Sequence, residues 1–339
     1  MSISVIIPAF NRAALLPQTL RSLLAQTVPA AEILVVDDGS TDGTAEVAEA
    51  FGPPVRVIRQ ANAGPGAARN AGFLASTGKF IHFFDSDDLA LPDKHEVQLA
   101  ALEKSGADIA YGPWIKGHIS DSSFVPENQV LQQHGLPDGD LIKALLSDWS
   151  IVPHACLFRR AIVEKSGGFP EALWVGEDQL MFLRCLLAGA KVVHSPGTLE
   201  LYRSNDAGKI TSNSPEAKAR QYREWARYLC LAREECLAHD VDPASWFGFR
   251  ARAWQAALDL EAAGISVPDL QAKLHAIHRG GWREFGYRIH RILQQKRDGL
   301  QSRLTGARGH SSFRIGPLSG AHRDGIRQLF PTADADLTD

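Results

Sequence analysis

The sequence predicts an α/β protein with an open, mostly parallel sheet and a helical C-terminal extension. Three observations support this prediction. Apolar, β-branched runs alternate with helix-type patterns over residues 4–104, three of these runs end at polar turns, and the last third of the chain is mainly helical in pattern and rich in arginine. Strands that alternate with helices in this way form parallel sheets with helices on both faces.

Each predicted element is justified by its residue pattern. Short runs such as Ile33-Leu34-Val35-Val36 are apolar throughout, which is typical of buried parallel strands, whereas Leu16, Leu20, Leu23 and Leu24 recur at helical spacing. In chain order, the pattern predicts a strand at 4–7, a helix at 13–26, a strand at 33–36, a helix at 43–51, a strand at 55–58, a helix at 66–76, a strand at 80–84 and a helix at 92–104.

Beyond residue 105 the pattern is looser. The candidates there are strands near 107–116, 151–158 and 191–202 and one clear helix from 177 to about 188. A polar stretch from 205 to 215 is interpreted as a loop or linker. We therefore predict two units, a sheet domain over 1–208 and a mainly helical region over 209–339 that docks on a membrane or a partner.

The charge balance excludes one class of function. The 339 residues include 36 basic and 39 acidic side chains, a formal net charge of −3, which argues against a generally basic nucleic-acid-binding protein. Residues 1–208 hold 16 basic and 24 acidic side chains, and residues 209–339 hold 20 and 15. No apolar run approaches the ~20 residues that cross a bilayer, and no signal-peptide pattern is present. We expect a cytoplasmic protein, soluble or peripherally attached to a membrane.

Polar loops follow three of the predicted strands. These loops are Pro8–Asn11, Asp37–Asp42 and Asp85–Asp88. Because ligands of parallel α/β sheets bind at the carboxyl ends of the strands, we expect the three loops to form one site.

Two motif-like strings do not match the sites that their spacing suggests. Gly64-Pro65-Gly66-Ala67-Ala68-Arg69 lacks the third glycine of a dinucleotide-binding fingerprint and lies in the third strand–helix unit, so a nicotinamide site is disfavoured. The string from Asp38 to Gly43, with Glu49, has the spacing of an EF-hand calcium loop. It follows a strand pattern, however, where an EF-hand requires a helix.

The acidic string Asp85-Ser86-Asp87-Asp88 indicates a metal site. Three carboxylates within four residues repel each other unless they are solvated, used as caps or neutralised by a cation. A surface acidic turn is the simpler interpretation of the string alone. Its place directly after an apolar strand favours a divalent cation held together with substrate phosphates.

Four motifs in chain order resemble those of family 2 glycosyltransferases, which are inverting enzymes with the GT-A fold. The resemblance covers about residues 3–205 and rests on Pro8-Ala9-Phe10-Asn11, on Val35 to Thr44, on Ala68-Arg69-Asn70-Ala71-Gly72 and on Phe84-Asp85-Ser86-Asp87-Asp88. Trp174-Val175-Gly176-Glu177-Asp178 is similar to the acidic motif that carries the catalytic base of the family. The resemblance implies a Rossmann-like, nucleotide-sugar-binding sheet domain.

The resemblance also implies roles for single residues. Phe10 would lie against the nucleotide base, Asp38 would accept a base N–H, Arg69 would balance the phosphates, and Asp178 would be the general base. Asp87 would be the direct metal ligand, with Asp85 assisting at ribose or metal, and the metal would be Mn²⁺ or Mg²⁺. Asp88 is interpreted as a capping or supporting group. The substrate-binding residues would be Pro8, Phe10, Asn11, Asp38, Arg69, Asp85, Ser86 and Glu177.

The function expected from this resemblance is non-processive transfer of one sugar. The donor would be a nucleoside-diphosphate sugar, with UDP favoured, and the acceptor a hydroxyl of a glycan or lipid-linked glycan in surface polysaccharide biosynthesis. Gln221-Tyr222-Arg223-Glu224-Trp225 has Glu224 where processive synthases have arginine, which disfavours a processive enzyme. Asn205 stands where many relatives have histidine, so the chain departs from the family pattern at a third metal contact.

Other assignments remain open. A sugar-nucleotide nucleotidyltransferase would need a glycine-rich loop with lysine after the first strand, which Pro8–Arg12 lacks, and an inactive nucleotide-sugar-binding module is a further alternative. The segment 279–308 has eight basic and two acidic residues with apolar side chains between them. It is typical of a helix packed on its own domain or of one that lies on an anionic membrane. His154 and His194 are interpreted as structural residues that could line an acceptor pocket.

Overall fold

The computed structural model describes residues 2–127, 129–204, 214–278, 286, 289 and 315–331. They form one large sheet, one small sheet and eleven helices that cover them. No helix of this described part is both long and apolar enough to cross a membrane.

The large sheet is mostly parallel, as predicted. Its strands, in spatial order, are β10 (Val192–His194), β6 (Ile109–Tyr111), β9 (Cys156–Arg159), β4 (Phe80–Phe83), β1 (Ile3–Ala9), β2 (Glu32–Asp37) and β3 (Val55–Arg59). Only β9 among them runs antiparallel to its neighbours. The strands β1 and β2 are apolar and buried along almost their whole length, because helices cover both faces of the sheet.

A smaller sheet lies beside the large one. It has the order β5 (Leu89–Ala90), β11 (Glu200–Arg203), β7 (Trp114–Ile119) and β8 (Phe124–Pro126). The sequence pattern predicted a single strand near 107–116. The structure instead has two strands in two different sheets, since Gly112 and Pro113 separate β6 from β7 and proline cannot donate to a strand ladder.

The helices predicted in the first half are present in the predicted order as α1 (Leu16–Leu24), α2 (Thr44–Glu49), α3 (Pro65–Ala75), α4 (Lys94–Ser105) and α7 (Glu177–Leu187). Two further helices, α5 (Leu141–Leu145) and α6 (Arg160–Ser166), were not predicted. Helix α3 lies so close to β1 and β2 that a Cβ atom at Gly72 would be 2.4 Å from Cγ2 of Ile6. Only glycine fits at this position, and the contact aligns α3 with the central strands.

The C-terminal region is helical, as predicted. Its described helices are α8 (Pro215–Leu237), α9 (Phe247–Ala262), α10 (Pro268–His278) and α11 (Gly320–Leu329). Buried side chains of α8, α9 and α10 belong to the same hydrophobic cluster as those of α7, whereas Ile326 of α11 packs with the small sheet. Residues 205–213, where the domain boundary was predicted, and nearly all of 279–308 lie outside the described residues.

Candidate active site

The three polar loops of the sequence analysis lie at one edge of the large sheet. In the parallel pairing of β1 with β2, Ala9 is opposite Asp37, and in the pairing of β1 with β4, Ile6 is opposite Phe83. The chain therefore leaves all three strands at the same edge, and the loops that begin at Phe10, Asp38 and Phe84 come together there.

The loop after β1 is fixed to the loop after β2. The backbone N–H of Asn11 donates to Oγ of Ser40, and the N–H of Thr41 donates to Oδ1 of Asn11, both at 2.9 Å. Asn11 has a left-handed backbone with φ of 53°, which asparagine tolerates better than most residues. The Phe10 side chain is 46% exposed at this edge, and Pro8 is half-buried within β1.

Asp38 organises the loop that precedes helix α3. Its Oδ1 accepts hydrogen bonds from Nε2 of Gln60 at 2.7 Å and from the N–H of Ala63 at 2.9 Å, and its Oδ2 accepts from the N–H of Gly64 at 2.9 Å. Among the described residues Oδ2 accepts one hydrogen bond, whereas a carboxylate oxygen can accept about two.

Arg69 of helix α3 joins two acidic segments of the site. Its Nη1 donates to Oε1 of Glu177 at 2.7 Å, and its Nη2 donates to Oδ1 of Asp85 at 2.8 Å. The guanidinium is buried and lies over the ring of Phe169. Burial alone would lower the pKa of Arg69, but the two carboxylates raise it above its ordinary value. Arg69 is thus a fixed cation at the centre of the site.

Asp85 also contacts His154, which the sequence did not connect with the acidic loop. Continuing the antiparallel register that pairs Ile81 with Phe158 places residue 154 opposite residue 85. Nδ1 of His154 lies 3.2 Å from Oδ2 of Asp85 and 3.2 Å from Oδ2 of Asp88. Burial alone would raise the pKa of Asp85, but His154 and Arg69 hold it well below its usual range.

The acidic loop Asp85–Asp88 is fixed by hydrogen bonds from Arg203 at the end of β11. The Arg203 N–H donates to Oδ1 of Asp88 at 2.8 Å, and its Nε donates to the backbone carbonyl of Asp87 at 2.7 Å. Thr19 donates from Oγ1 to the carbonyl oxygens of Ser86 and Asp88. Asp88 therefore supports the loop through β11, and the helix that follows has Asp93 at its N-terminus.

Glu177 and Asp178 begin helix α7, as predicted. Burial and the adjacent Asp178 raise the pKa of Glu177 to about 7, against the lowering effect of Arg69. Burial likewise raises the pKa of Asp178, and Arg69 opposes this increase. Oδ1 of Asp178 accepts the N–H of Gln179 at 2.7 Å. Burial thus raises the pKa of both acids at the start of α7, and Arg69 opposes both increases.

One group of ligand atoms in the described residues could hold a metal ion. The carboxylate oxygens of Asp85 and Asp88 and a ring nitrogen of His154 all lie within 4.8 Å of one another. Asp87, the predicted direct ligand, is in the same loop but is not one of these three residues, whereas Asp88, predicted to be a supporting group, is. Asn205 lies outside the described residues.

Comparisons with known proteins identify the family of the chain. The model of the family described as "Glycosyl transferase family 2" matches residues 4–167. An uncharacterized glycosyltransferase of Nostoc is 36% identical over 220 residues, which are 62% of this chain and 67% of the relative. The succinoglycan biosynthesis protein ExoO of Rhizobium meliloti is 32% identical over 208 residues, 59% of this chain and 60% of the relative.

The chain matches only part of other relatives. The uncharacterized glycosyltransferase YibD of Escherichia coli is 31% identical over 172 residues, 48% of this chain and 50% of the relative. The chain spans about half, and in two rickettsial glycosyltransferases 29%, of the length of these curated proteins.

Two solved structures confirm the GT-A fold. TarS of S. aureus in complex with UDP-GlcNAc has a TM-score of 0.53 and 18% identity over 94% of this chain and 98% of that chain. The mannosyltransferase PcManGT of Pyrobaculum calidifontis in complex with GDP-Man and Mn²⁺ has a TM-score of 0.52 and 18% identity over 81% of this chain and 85% of that chain.

Proposed function

The chain belongs to glycosyltransferase family 2, and from this premise we propose that it is a non-processive, inverting enzyme. It transfers one sugar from a nucleoside-diphosphate donor, with UDP favoured, to a hydroxyl of a glycan or lipid-linked glycan. The observation that carries the proposal is the Arg69 guanidinium, which contacts Asp85 of the acidic loop and Glu177 next to the proposed base.

The nucleotide is proposed to bind along the loops after β1 and β2. The exposed ring of Phe10 offers a π-face for stacking of the base. The acceptor position left on Oδ2 of Asp38 suits the N–H of uracil, which favours UDP. Pro8, Asn11 and Ser86 are proposed to position the backbone of the loops that bind the nucleotide.

The residues of the acidic loop fit a divalent cation. We propose Asp85 and Asp87 as its ligands, and the position of Asp88 and His154 makes them candidates for the same ion. The carboxylate oxygens are ligands that suit Mn²⁺ or Mg²⁺. A cation bound there would supply positive charge against the departing diphosphate.

Asp178 is proposed as the general base. A raised pKa makes its carboxylate a stronger base for the proton of the acceptor hydroxyl, which leaves while that oxygen attacks the anomeric carbon. Attack and departure take place on opposite faces, so an α-linked donor gives a β-linked product. Glu177 lies beside the base and is held by Arg69.

The wider assignments are also proposals. A role in polysaccharide biosynthesis is in keeping with the name of ExoO. We propose that the protein is cytoplasmic, that residues 1–208 form the catalytic domain, and that the basic segment 279–308 associates with the inner face of the membrane. A nucleotidyltransferase is disfavoured by the loop after β1, and an inactive binding module is the second alternative.

Thermal stabilisation by nucleotides tests the donor site. A ligand at a hundred times its Kd stabilises a protein by about 2.7 kcal/mol. We expect UDP and a UDP-sugar to raise the melting temperature when Mn²⁺ is present, and less so with EDTA, with ADP as the matched control. Release of UDP from UDP-GlcNAc then separates an enzyme from a binding module. Absence of stabilisation by UDP and GDP with Mn²⁺ would contradict the proposed donor site.

A further inference from the structure

We propose that Glu224 of helix α8 is a positioning residue of the transfer reaction. It binds Trp174 and so fixes the segment 174–178, which carries Glu177 and Asp178. The inference rests on the proposed function, because the role of Asp178 in catalysis is part of that proposal.

Glu224 makes a charge-assisted hydrogen bond to the backbone before the acidic pair. Its Oε2 accepts the N–H of Trp174 at 2.8 Å, and its Oε1 accepts from Nη1 of Arg227 at 3.0 Å. The Glu224 residue is only 6% exposed, whereas the Arg227 side chain is 47% exposed. A carboxylate that binds a backbone N–H in a buried position forms a stronger bond than a neutral acceptor.

The next turn of α8 contacts the same segment at Gly176. This glycine directly precedes helix α7 and has a left-handed backbone with φ of 83°. A Cβ atom there would lie 3.5 Å from the side chains of Trp225 and Tyr228. The rings of Trp225 and Tyr228 pack edge to face at 5.4 Å. Helix α8 therefore holds residues 174 and 176 on either side of Val175.

The indole of Trp174 lies against the loop that precedes helix α3, which is part of the proposed nucleotide site. A Cβ atom at Gly64 would be 3.2 Å from Cε2 of the Trp174 indole, and the N–H of Gly64 is the group that Oδ2 of Asp38 binds. Trp174 thus packs between helix α8 and the loop that lines the proposed donor site. Without Glu224, the Trp174 N–H loses its acceptor, and the segment leading to Asp178 loses one of its contacts with α8, which also include Arg220 over the Trp174 ring.

This contact requires a hydrogen-bond acceptor at residue 224, which glutamate provides and arginine does not. Glu224 is the position at which Gln221-Tyr222-Arg223-Glu224-Trp225 departs from the motif of processive synthases. Arginine has no hydrogen-bond acceptor in its side chain, whereas glutamate has two oxygens that accept. A basic side chain at 224 could not bind the N–H of Trp174.

The test compares three variants of the full chain. Glu224→Ala removes the acceptor, Glu224→Gln keeps one neutral oxygen, and Glu234→Gln is the matched control because Glu234 forms an exposed ion pair with Lys273 on the same helix. Amide hydrogen exchange of residues 171–178, UDP affinity with Mn²⁺, and kcat for UDP release from UDP-GlcNAc are measured for each.

We expect Glu224→Ala to speed exchange at Trp174 and to lower kcat, each by about tenfold to a hundredfold, the factor that a charge-assisted hydrogen bond represents. UDP affinity stays within about twofold, since tenfold would correspond to a lost direct contact. Glu224→Gln gives intermediate values, and Glu234→Gln behaves as the unaltered chain. If Glu224→Ala does not fold, the amide exchange, UDP affinity and kcat of Glu224→Gln test the proposal instead.

Two results would overturn the inference: unchanged exchange over 171–178 in both Glu224 variants, or faster exchange with unchanged kcat. The second result would leave Glu224 a structural residue only. Failure of the proposed function is recognised separately, in the unaltered chain, as absence of nucleotide-dependent stabilisation and of UDP release.

Discussion

Arg69 and Glu177, 108 residues apart in the chain, are joined by a hydrogen bond of 2.7 Å between Nη1 and Oε1. The same guanidinium donates to Asp85 at 2.8 Å. One buried cation therefore balances two acids that belong to different motifs. Because a buried charge without its partner is costly, the removal of Arg69 changes the proton affinity of every carboxyl group around it.

Arg69→Met is expected to shift the pH dependence of transfer. The proposed base acts when ionised, so kcat/KM falls as the pH drops through the pKa of the Glu177–Asp178 pair, with Glu177 at about 7. Arg69 lowers the pKa of both acids, and its loss moves this acid limb to higher pH by about one unit or more. The rate of UDP release between about pH 5.5 and 9 measures the shift.

Arg59→Gln is the control for that profile, since Arg59 pairs with Glu46 and Glu49 at the exposed surface. Its acid limb should coincide with that of the unaltered chain. An unmoved limb in Arg69→Met would mean that neither acid of the pair controls the rate.

Asp178→Asn is expected to lower the rate of transfer while donor binding is kept. A positioned general base contributes about 10²–10⁴-fold, and this is the loss we expect in kcat. The asparagine amide oxygen can still accept the N–H of Gln179, as Oδ1 of Asp178 does at 2.7 Å, so the helix start should be preserved. UDP titration with Mn²⁺ checks binding and UDP release checks turnover. Full activity in this variant would show that Asp178 is not the base.

Phe10→Ala is expected to weaken nucleotide binding without unfolding the protein. The side chain is 46% exposed, so its removal leaves little cavity, whereas stacking of a base on an aromatic ring is worth about 1–3 kcal/mol. UDP affinity should fall by about tenfold to a hundredfold, and pyrophosphate affinity should stay the same. Leu74→Ala, at a position that is 84% exposed, is the control. Equal losses for UDP and pyrophosphate would argue against stacking.

The proposed membrane association can be tested by changing charge alone. Replacing the eight basic residues of 279–308 with glutamine is expected to release the protein from vesicles of anionic lipid, because each basic residue near such a surface contributes about 1 kcal/mol. Deletion to the C-terminus is a poorer test, since Ile326 and Phe330 pack in the core beside the small sheet. Vesicle sedimentation measures binding, with neutral vesicles as control. Unchanged partitioning would reject this docking role.

The central sheet was predictable, because buried parallel strands such as β2 are continuous apolar runs and polar residues mark their ends. The pairing of Asp85 with His154 was not, because it depends on the antiparallel register between β4 and β9, whose residues lie far apart in the sequence. The contact of Glu224 with Trp174 could not be predicted from the sequence for the same reason, since it forms only when α8 packs on α7. Local patterns determine elements, whereas these contacts depend on packing.

Lys94 of α4 and Glu200 of β11 form an ion pair of 2.5 Å in which both side chains are almost completely buried. Burial raises the pKa of Glu200 to about 8, and Lys94 opposes this increase. Lys94→Met leaves the carboxyl group without its partner where that group is ionised, so we expect the free energy of unfolding to fall, most strongly above about pH 8. Replacing both, as Lys94→Met with Glu200→Leu, should restore most of it, because no unpaired charge remains.

The pH dependence of the stability of Lys94→Met shows whether the charge of Glu200 causes the loss. Without Lys94 the pKa of Glu200 in the folded state rises further above its unfolded value of 4.5, so the folded protein binds the extra proton. The unaltered chain and the variant both lose stability as the pH rises from about 4.5 to about 8, and only the variant continues to lose it above that pH. The difference between the two chains should therefore be small at about pH 5 and larger at about pH 9.5. Denaturant unfolding at these two pH values measures the difference, with Arg327→Gln at the exposed pair with Asp324 expected to change stability by less than about 0.5 kcal/mol. A Lys94→Met variant that is equally destabilised at both pH values would show that lost side-chain packing, and not the charge of Glu200, accounts for the effect.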